Sequence, residues 1–282
     1  MPGADPSQWW GLADPSTDEP VAQPPVRVSP SKVGKVLECP LRAMLEQPSS
    51  SDQMALGTAF HRVVEALEDG VAVADATQSL VRALPELVDE PEWRIGAMER
   101  EWADAVGAWE AWTAGSSPVG TEIDVRVPVG DDAVIAGRID RLEEHPEGGY
   151  TVVDVKTGAN VPSAGDVEDN PQLAVYQLAL SEGRFEADGP GGGGSGDAGV
   201  RIVGGEGLAT GGGKLVYPRK PVASGASVRT QSVHTPEKLA EWREKVLRVA
   251  ADMRGPGALA TPGDHCKHCG VRLACPAKEG DR

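Results

Sequence analysis

The sequence has no long apolar run. Hydrophobic residues occupy 40% of its 282 positions, which is enough for a buried core. No stretch approaches the roughly 20 consecutive apolar residues that a membrane-spanning helix needs. Met1 is followed by polar sequence that contains proline and aspartate, whereas a secretory signal would place an apolar region there. We therefore expect a chain without a membrane partner, located in the reducing cytoplasm.

Positive charge is scarce. The chain has 27 lysines and arginines against 43 aspartates and glutamates, which gives a formal net charge of −16. An acidic surface repels phosphate groups, so this balance argues against tight binding to nucleic acid.

A phosphate-binding loop for ATP is also missing. The segment 211–214 reads Gly-Gly-Gly-Lys, but Leu208 stands where the first glycine of G-x-x-x-x-G-K is required, and Leu215 replaces the Ser or Thr. We interpret the segment as a hairpin turn, and we expect no unwinding activity from this chain alone.

Cysteines are few, and they fall in two places. Cys39 lies near the N-terminus, while Cys266, Cys269 and Cys275 form a C-x2-C-x5-C group near the C-terminus. Four thiolates can bind a cubane iron–sulfur cluster or a zinc ion, and the spacing alone does not choose between them. Disulfides are disfavoured because we expect a reducing environment.

The most informative motif is formed by Asp154, Val155 and Lys156, which follow the apolar run 150–153. Side chains alternate along a strand, so Asp154 and Lys156 project to one side while Val155 points into the core. Asp140 precedes them on the neighbouring strand of a predicted hairpin. Two carboxylates can hold Mg²⁺ or Mn²⁺ there, since hard cations prefer oxygen ligands. A solvated strand edge could carry the same Asp/Lys pair, so the interpretation depends on the other motifs.

Two predicted helices carry further polar groups. His61 and Glu65 lie one turn apart on the first, where they can share a metal or pair with each other. Gln172 and Tyr176 lie one turn apart on the second. An amide and a phenol can hydrogen-bond a phosphate or an attacking water, although such residues also suit a plain polar helix face.

In their order along the chain, these residues resemble the RecB-like branch of the PD-(D/E)xK nuclease superfamily. Its pattern is G-x-x-x-H, G-x-x-D, D-x-K and Q-x-x-x-Y, which the chain matches at Gly57 to His61, Gly137 to Asp140, Asp154 to Lys156, and Gln172 to Tyr176. The resemblance implies a Mg²⁺ or Mn²⁺ ion held by His61, Asp140, Asp154 and the Val155 carbonyl.

The resemblance also assigns catalytic roles. It implies that Asp140, Asp154 and Lys156 are catalytic, with Lys156 as the catalytic lysine. Gln172 and Tyr176 would support the reaction near the scissile phosphate. Glu65 and Glu122 are further candidates for groups that surround the ligands.

One cysteine before the first motif and three after the last make the chain similar to the iron–sulfur subset of this family. That subset includes the C-terminal nuclease modules of AddB- and Adn-type helicase-nucleases. The resemblance implies a [4Fe–4S] cluster on Cys39, Cys266, Cys269 and Cys275, with zinc as the alternative, and a helicase subunit or domain as partner.

The expected fold is an α/β domain with a restriction-endonuclease-like core, in which helices flank a central mixed sheet. We expect a helical N-terminal part, with Trp93, Trp102, Trp109 and Trp112 as packing residues, then strands near 121–129, 132–143 and 150–156, and a C-terminal iron–sulfur staple. The predicted divisions are an extended, proline-rich acidic linker at 1–28, one nuclease domain at 29–278 and a tail at 279–282. Residues 186–199 are predicted to be a flexible glycine-rich insertion, and the stretch 204–213 to be flexible as well.

These observations predict a metal-dependent, exonuclease-like enzyme that hydrolyses DNA, most simply single-stranded DNA, in repair or recombination alongside a helicase. The alternative is a catalytically silent nuclease-like module, held together by its cluster, that binds DNA or a helicase. Catalysis is favoured because both carboxylates and the lysine are present. Basic residues near the motifs should offset the acidic surface: Lys32, Lys35, Arg42, Arg62, Arg138, Arg141, Lys156, Lys214, Arg219 and Lys220.

Overall fold

The computed structural model of the chain describes residues 19–46, 51–158, 160–187 and 199–277. Within these residues the strands are β1 (Val26–Val28), β2 (Gly120–Val129), β3 (Ala133–Glu144), β4 (Tyr150–Val155), β5 (Gly183–Ala187), β6 (Val200–Gly204), β7 (Thr210–Val222) and β8 (Gly225–Gln231). They form one sheet in the order β5-β6-β2-β3-β4-β7-β8, and β1 pairs with the first part of β3. Parallel and antiparallel pairs both occur, so the expected mixed sheet is confirmed.

Helices cover both faces of this sheet. They are α1 (Pro30–Glu38), α2 (Pro40–Leu45), α3 (Asp52–Glu68), α4 (Val73–Leu87), α5 (Glu92–Thr113), α6 (Ala164–Glu168), α7 (Pro171–Ser181) and α8 (Pro236–Arg254). One core packs α1, α7 and α8 against the sheet, and a second packs α3, α4 and α5 against the other face. Among the described helices, none is both long and apolar enough to cross a bilayer.

Strand β4 lies in the middle of the molecule. It pairs antiparallel with β3 on one side and parallel with β7 on the other. Residues 151–155 are all buried, which explains their nearly continuous apolar sequence, because a strand covered on both faces has no solvent side. The antiparallel pairing of β3 with β4 is the hairpin that the sequence predicts.

Aromatic residues fill the core on the α3–α5 side. Trp102 and Trp109 are almost completely buried, and the rings of Phe60 and Trp102 lie 5.6 Å apart between centroids. Trp93, by contrast, is 76% exposed. It lies in the first turn of α5, on a side that no other described element covers, so its prediction as a packing residue is wrong.

The N-terminal boundary of the domain differs from the prediction. Residues 1–18 of the expected linker lie outside the described residues, but β1 falls within its last three positions. Val26 and Val28 are buried, and β1 pairs in parallel with residues 133–135 of β3. The core therefore begins before residue 29. Both valines point into the core from β1, which pairs with a part of β3 that β4 does not reach.

The glycine-rich segments also differ from expectation. Glu186 and Ala187, predicted to begin an insertion, end β5, and residues 188–198 lie outside the described residues. Residues 211–213, interpreted above as a flexible turn, belong to β7. Their glycines are explained by close packing: a Cβ on Gly211 would lie 2.4 Å from His145 Cβ, and one on Gly213 would lie 3.1 Å from Leu173 Cδ2.

A buried arginine ties α3 to the sheet. Arg141 is fully buried in β3, where its guanidinium contacts Glu68 and donates to Glu143 Oε1 at 3.0 Å and Ser116 Oγ at 2.8 Å. Lys214 Nζ donates to the other oxygen of Glu143 at 2.8 Å. Removing the arginine alone would leave two acidic side chains poorly compensated.

We therefore expect Arg141→Met to lower the free energy of unfolding by about 3 kcal/mol, because breaking one partner of a buried ion pair leaves uncompensated charge. The control is Arg201→Met, whose partner Glu186 is exposed enough that the pair should contribute less than about 1 kcal/mol. Urea unfolding of both variants measures the difference, and equal losses would contradict the role given to Arg141.

Candidate functional site

The site begins at the hairpin of β3 and β4. Asp140 lies near the middle of β3, and its Oδ2 accepts a 2.6 Å hydrogen bond from the backbone N–H of Val155 at the end of β4. Asp154, one residue earlier, is 5% exposed and points to the opposite face from Val155, whose side chain packs in the α3–α5 core. The alternation predicted from the sequence therefore brings the two carboxylates together.

Helix α7 supplies the next layer. It begins at Pro171, and the preceding Asn170 caps it by accepting a hydrogen bond from a backbone N–H. In its first turn, Gln172 Nε2 donates to Asp154 Oδ1 at 2.5 Å, and Gln172 Oε1 accepts from Lys156 Nζ at 2.8 Å. Lys156 Nζ also lies 2.7 Å from Asp154 Oδ2. The amide therefore holds the carboxylate and the ammonium in one fixed arrangement.

Tyr176 lies one turn further along α7 and contacts the protein backbone. Its hydroxyl donates to the Arg138 carbonyl at 2.5 Å. Burial raises the pKa of Tyr176, so the phenol keeps its proton and acts as a donor. Gly137 makes this contact feasible, because a Cβ there would lie 3.1 Å from the Tyr176 hydroxyl and 3.0 Å from Pro30 Cδ. Tyr176 thus joins α7 to the strand that carries Asp140.

His61 reaches the hairpin from α3, on the other side of the sheet. Its Nδ1 lies 3.7 Å from Asp140 Oδ1 and 4.0 Å from Glu122 Oε1. Gly57, one turn earlier, lets α3 approach the loop after β4, since a Cβ there would lie 3.1 Å from Thr157 Oγ1. The glycine of this motif is therefore explained by helix packing.

Glu122 is a central residue that the sequence motifs do not include. In the described part of the chain, His61, Glu122 and Asp140 form the one group of three potential metal ligands whose atoms all lie within 4.8 Å of one another. The register of β2 with β3 places Glu122 opposite Asp140, between the flanking pairs Thr121 with Arg141 and Ile123 with Ile139. The sequence predicts Glu122 as a group around the ligands, and this antiparallel register is the signal that brings it among them.

Burial and neighbouring charges shift the pKa values of three of these groups. Burial, followed by the charge of Asp154, raises the pKa of Asp140 well above its ordinary value. Burial also raises the pKa of Glu122, against the opposing effect of Arg138. The pKa of His61 is lowered, mainly by burial, which keeps its imidazole neutral. Crowded carboxylates beside a neutral imidazole form an arrangement that a cation stabilises.

Glu65 also lies close enough to act on this group, because its negative charge contributes to the raised pKa of Glu122. The Val155 backbone likewise affects the His61 ring, where it opposes the lowering of the histidine pKa. The predicted ligands and their neighbours therefore share one region around the end of β4.

The four cysteines line one cavity of about 460 Å³ at the start of α2 and the C-terminal turns. All four are free thiols. The Sγ of Cys39 accepts weak hydrogen bonds from the backbone N–H groups of Arg42 and Thr261, both at 3.5 Å. Among the described residues, no three cysteine Sγ atoms lie within 4.8 Å of one another. The thiols share a cavity without forming a tight group of three.

Most of the basic residues near the motifs are engaged in ion pairs, which limits the expected compensation of the acidic surface. Seven of the ten have acidic partners within 4.0 Å: Lys35, Arg42, Arg138, Arg141, Lys156, Lys214 and Arg219. A positive charge that is already paired adds little attraction for a phosphate.

Comparisons with known proteins identify the family. Residues 27–276 match the model of the PD-(D/E)XK nuclease superfamily. A search of curated proteins finds no match. A solved structure titled "Crystal structure of SSO0001" is 15% identical to this chain, with 92% of this chain and 89% of that one covered and a TM-score of 0.40. The family match spans all four motifs and all four cysteines. The chain therefore belongs to the PD-(D/E)XK nuclease superfamily, whose members are generally hydrolytic nucleases that use divalent metals.

Proposed function

We propose that the chain is a metal-dependent deoxyribonuclease that cleaves phosphodiester bonds in single-stranded DNA in an exonuclease-like manner. The observation that carries the proposal is the convergence of a histidine, two carboxylates and a lysine at the end of β4, in a chain that belongs to a nuclease superfamily.

The donor set fits a hard divalent cation. His61, Asp140, Asp154 and the Val155 carbonyl would hold Mg²⁺ or Mn²⁺, because three of these four donors are the oxygens that such ions prefer. Once bound, such an ion polarises a phosphoryl oxygen and favours deprotonation of a water molecule. The raised pKa of Asp140 supports this assignment, because a cation would relieve the repulsion between buried carboxylates.

Lys156 is the group proposed to act on the substrate. Its ammonium contacts the Asp154 carboxylate and the Gln172 amide oxygen, which fix its position. The Lys156 side chain is still 35% exposed. It can therefore neutralise charge that develops on the phosphoryl group or orient a water.

Gln172 and Tyr176 are better described as positioning residues than as groups that touch the phosphate. The Gln172 amide donates to Asp154 and accepts from Lys156. The Tyr176 hydroxyl donates to the Arg138 carbonyl. Gln172 fixes two charged groups directly, and Tyr176 fixes the strand that carries Asp140. A fixed geometry of charges is what preorganised electrostatic catalysis requires. An intact arrangement of this kind also weighs against the catalytically silent module.

The proposed partner is a helicase that delivers the strand, with a role in DNA repair or recombination. The charge distribution supports a delivering partner, because the net charge of −16 and the paired cations leave little attraction for free DNA. The isolated chain should bind single-stranded DNA weakly and with strong salt dependence.

For the cysteines we propose a [4Fe–4S] cluster. Tetrahedral zinc with Zn–S bonds near 2.3 Å would need sulfur atoms about 3.8 Å apart, whereas a cubane binds one thiolate at each iron corner and so keeps them further apart. The shared cavity and the separated thiols support the cubane. The N–H groups directed at Cys39 would stabilise a charged sulfur, and a cytoplasmic location would keep the thiols reduced.

The nuclease proposal is tested with labelled single-stranded DNA and Mn²⁺ or Mg²⁺, using the full chain purified without oxygen. Asp154→Asn and Lys156→Met should each lower the cleavage rate at least about 100-fold, because each removes a charge that acts on the transition state. Lys238→Met, which removes an equivalent charge from α8, should retain activity. Cleavage that persists in both site variants would show that a contaminating enzyme or a different site is responsible.

Asp140→Asn should stabilise the metal-free protein by about 1 kcal/mol, which corresponds to roughly 2–4 °C in Tm. The folded protein holds a proton on Asp140 at pH values where the unfolded chain has released it. Stability of the wild type therefore falls as pH rises above the ordinary value of 3.8 and through the raised pKa. Asparagine removes this loss while its side-chain oxygen can still accept from Val155.

The measurement is the Tm of both proteins in chelator from pH 4 to pH 8. The advantage of the variant should grow with pH. It is compared above pH 6.5, because the lowered pKa of His61, which lies 3.7 Å from Asp140, costs stability only below that pH. A variant less stable than the wild type across this range would contradict the electrostatic argument.

The cluster proposal is tested by iron, sulfide and zinc analysis of protein purified without oxygen. We expect about four irons and four sulfides per chain, a broad visible absorption, and loss of both in Cys39→Ser and Cys269→Ser. One zinc per chain, with no iron or sulfide under any preparation, would refute the cluster and leave the nuclease proposal intact.

A further inference from the structure

We propose that Glu122 is itself a ligand of the catalytic metal, through Oε1, and that its unusual backbone conformation serves to present that oxygen. This inference rests on the proposed nuclease function and adds to it a carboxylate that none of the four sequence motifs contains.

Distances between candidate ligand atoms support direct ligation. Glu122 Oε1 and Asp140 Oδ1 lie 4.0 Å and 3.7 Å from His61 Nδ1. An octahedral ion with ligands at about 2.1 Å holds adjacent donor atoms about 3.0 Å apart and opposite ones about 4.2 Å apart. Both distances from His61 lie within this range, and the ligand atoms of all three residues lie within 4.8 Å of one another, so one ion can contact all of them after small side-chain movements.

Asp154 is less free to complete the same group. Its Oδ1 accepts from Gln172 Nε2, and its Oδ2 lies 2.7 Å from Lys156 Nζ. Either oxygen would have to be shared with a cation. Glu122 Oε1 instead faces His61, so Glu122 offers the metal an oxygen at lower cost.

The backbone of Glu122 is the second observation. Its φ is +49°, and among the described residues it is the one non-glycine with a positive φ. A glutamate in this left-handed region within a strand is strained, and such strain persists where the surrounding structure needs the side chain in a particular place. The regular β2–β3 register continues on both sides, so the departure is confined to the residue opposite Asp140.

Arg138 accounts for the other oxygen of this carboxylate. Its Nη1 lies 3.6 Å from Glu122 Oε2, and its Nε donates to Asp124 Oδ1 at 3.1 Å. The arginine therefore steadies Glu122 from the solvent side and offsets its charge beside Asp140, while Oε1 stays directed inward. Arg138 is a positioning residue in this arrangement.

The test measures Mn²⁺ binding to the full chain without DNA, by electron paramagnetic resonance of free Mn²⁺. Glu122→Gln should weaken Mn²⁺ binding at least about 10-fold, because the amide keeps the size and loses the charge of a ligand. The matched control is Asp124→Asn, which removes the other partner of Arg138 and should change the affinity less than about 2-fold.

Glu122→Asn provides a measurement that a merely structural role would not explain. Asparagine tolerates positive φ better than glutamate, so the metal-free variant should melt at the same temperature as the wild type or higher. Its Tm increase on adding Mn²⁺ should be much smaller than that of the wild type. A lower metal-free Tm in this variant would overturn the strain argument.

Failure of the inference is distinguishable from failure of the proposed function. If Glu122→Gln binds Mn²⁺ like the wild type while Asp140→Asn does not, Glu122 is no ligand and the metal site stands without it. If the wild type itself binds no Mn²⁺, the inference and the metal-dependent nuclease proposal are both overturned.

Discussion

The hydrogen bond from the Val155 amide to the Asp140 carboxylate is the interaction on which the site depends. It fixes the end of β4 against the middle of β3, and thereby sets Asp140 close enough to Asp154 that the charge of Asp154 helps to raise the pKa of Asp140. Two neighbouring acids, one buried and one mostly buried, are unfavourable for folding alone. The sheet can hold them because helices cover both of its faces. The stability of these two cores offsets the cost of placing the carboxylates together, in an arrangement that suits a cation.

The helices act as rigid supports for this hairpin. Helix α7 is buried from Leu173 to Leu180, so Gln172 and Tyr176 cannot move without disturbing the core. Both direct their polar atoms at groups on the sheet. On the other face of the sheet, α3 brings His61 close to the Asp140 carboxylate. The site is therefore built from two independently packed layers, an arrangement that limits movement of the charged groups.

The sequence predicts the parts of this structure that depend on local pattern. The alternation around Asp154 and the order of the motifs were sufficient for the mixed sheet, the hairpin and the group of residues at its end. Glu122 is predicted only as a group around the ligands, because its place among them depends on the pairing of β2 with β3, a nonlocal register that no short motif encodes. The glycines of 211–213 were misinterpreted for a related reason: glycine indicates flexibility in isolation, but here it admits His145 and Leu173 into close contact with the strand. Exposure of Trp93 likewise depends on which helix faces are covered.

The cysteine cavity and the carboxylate site are physically connected through α1. Cys39 ends α1 and caps α2, and α1 packs on α7, where a Cβ on Gly34 would lie 3.3 Å from Pro171 Cγ. Pro30, at the other end of α1, lies against Gly137 in the strand that carries Asp140. A cofactor that joins Cys39 to the C-terminal turns would therefore restrain α1, and through it the first turn of α7. Because Gln172 lies in that turn, the restraint extends to the amide that holds Asp154 and Lys156. The proposed cluster would then affect the proposed active site by restraining these elements, without any need for electron transfer.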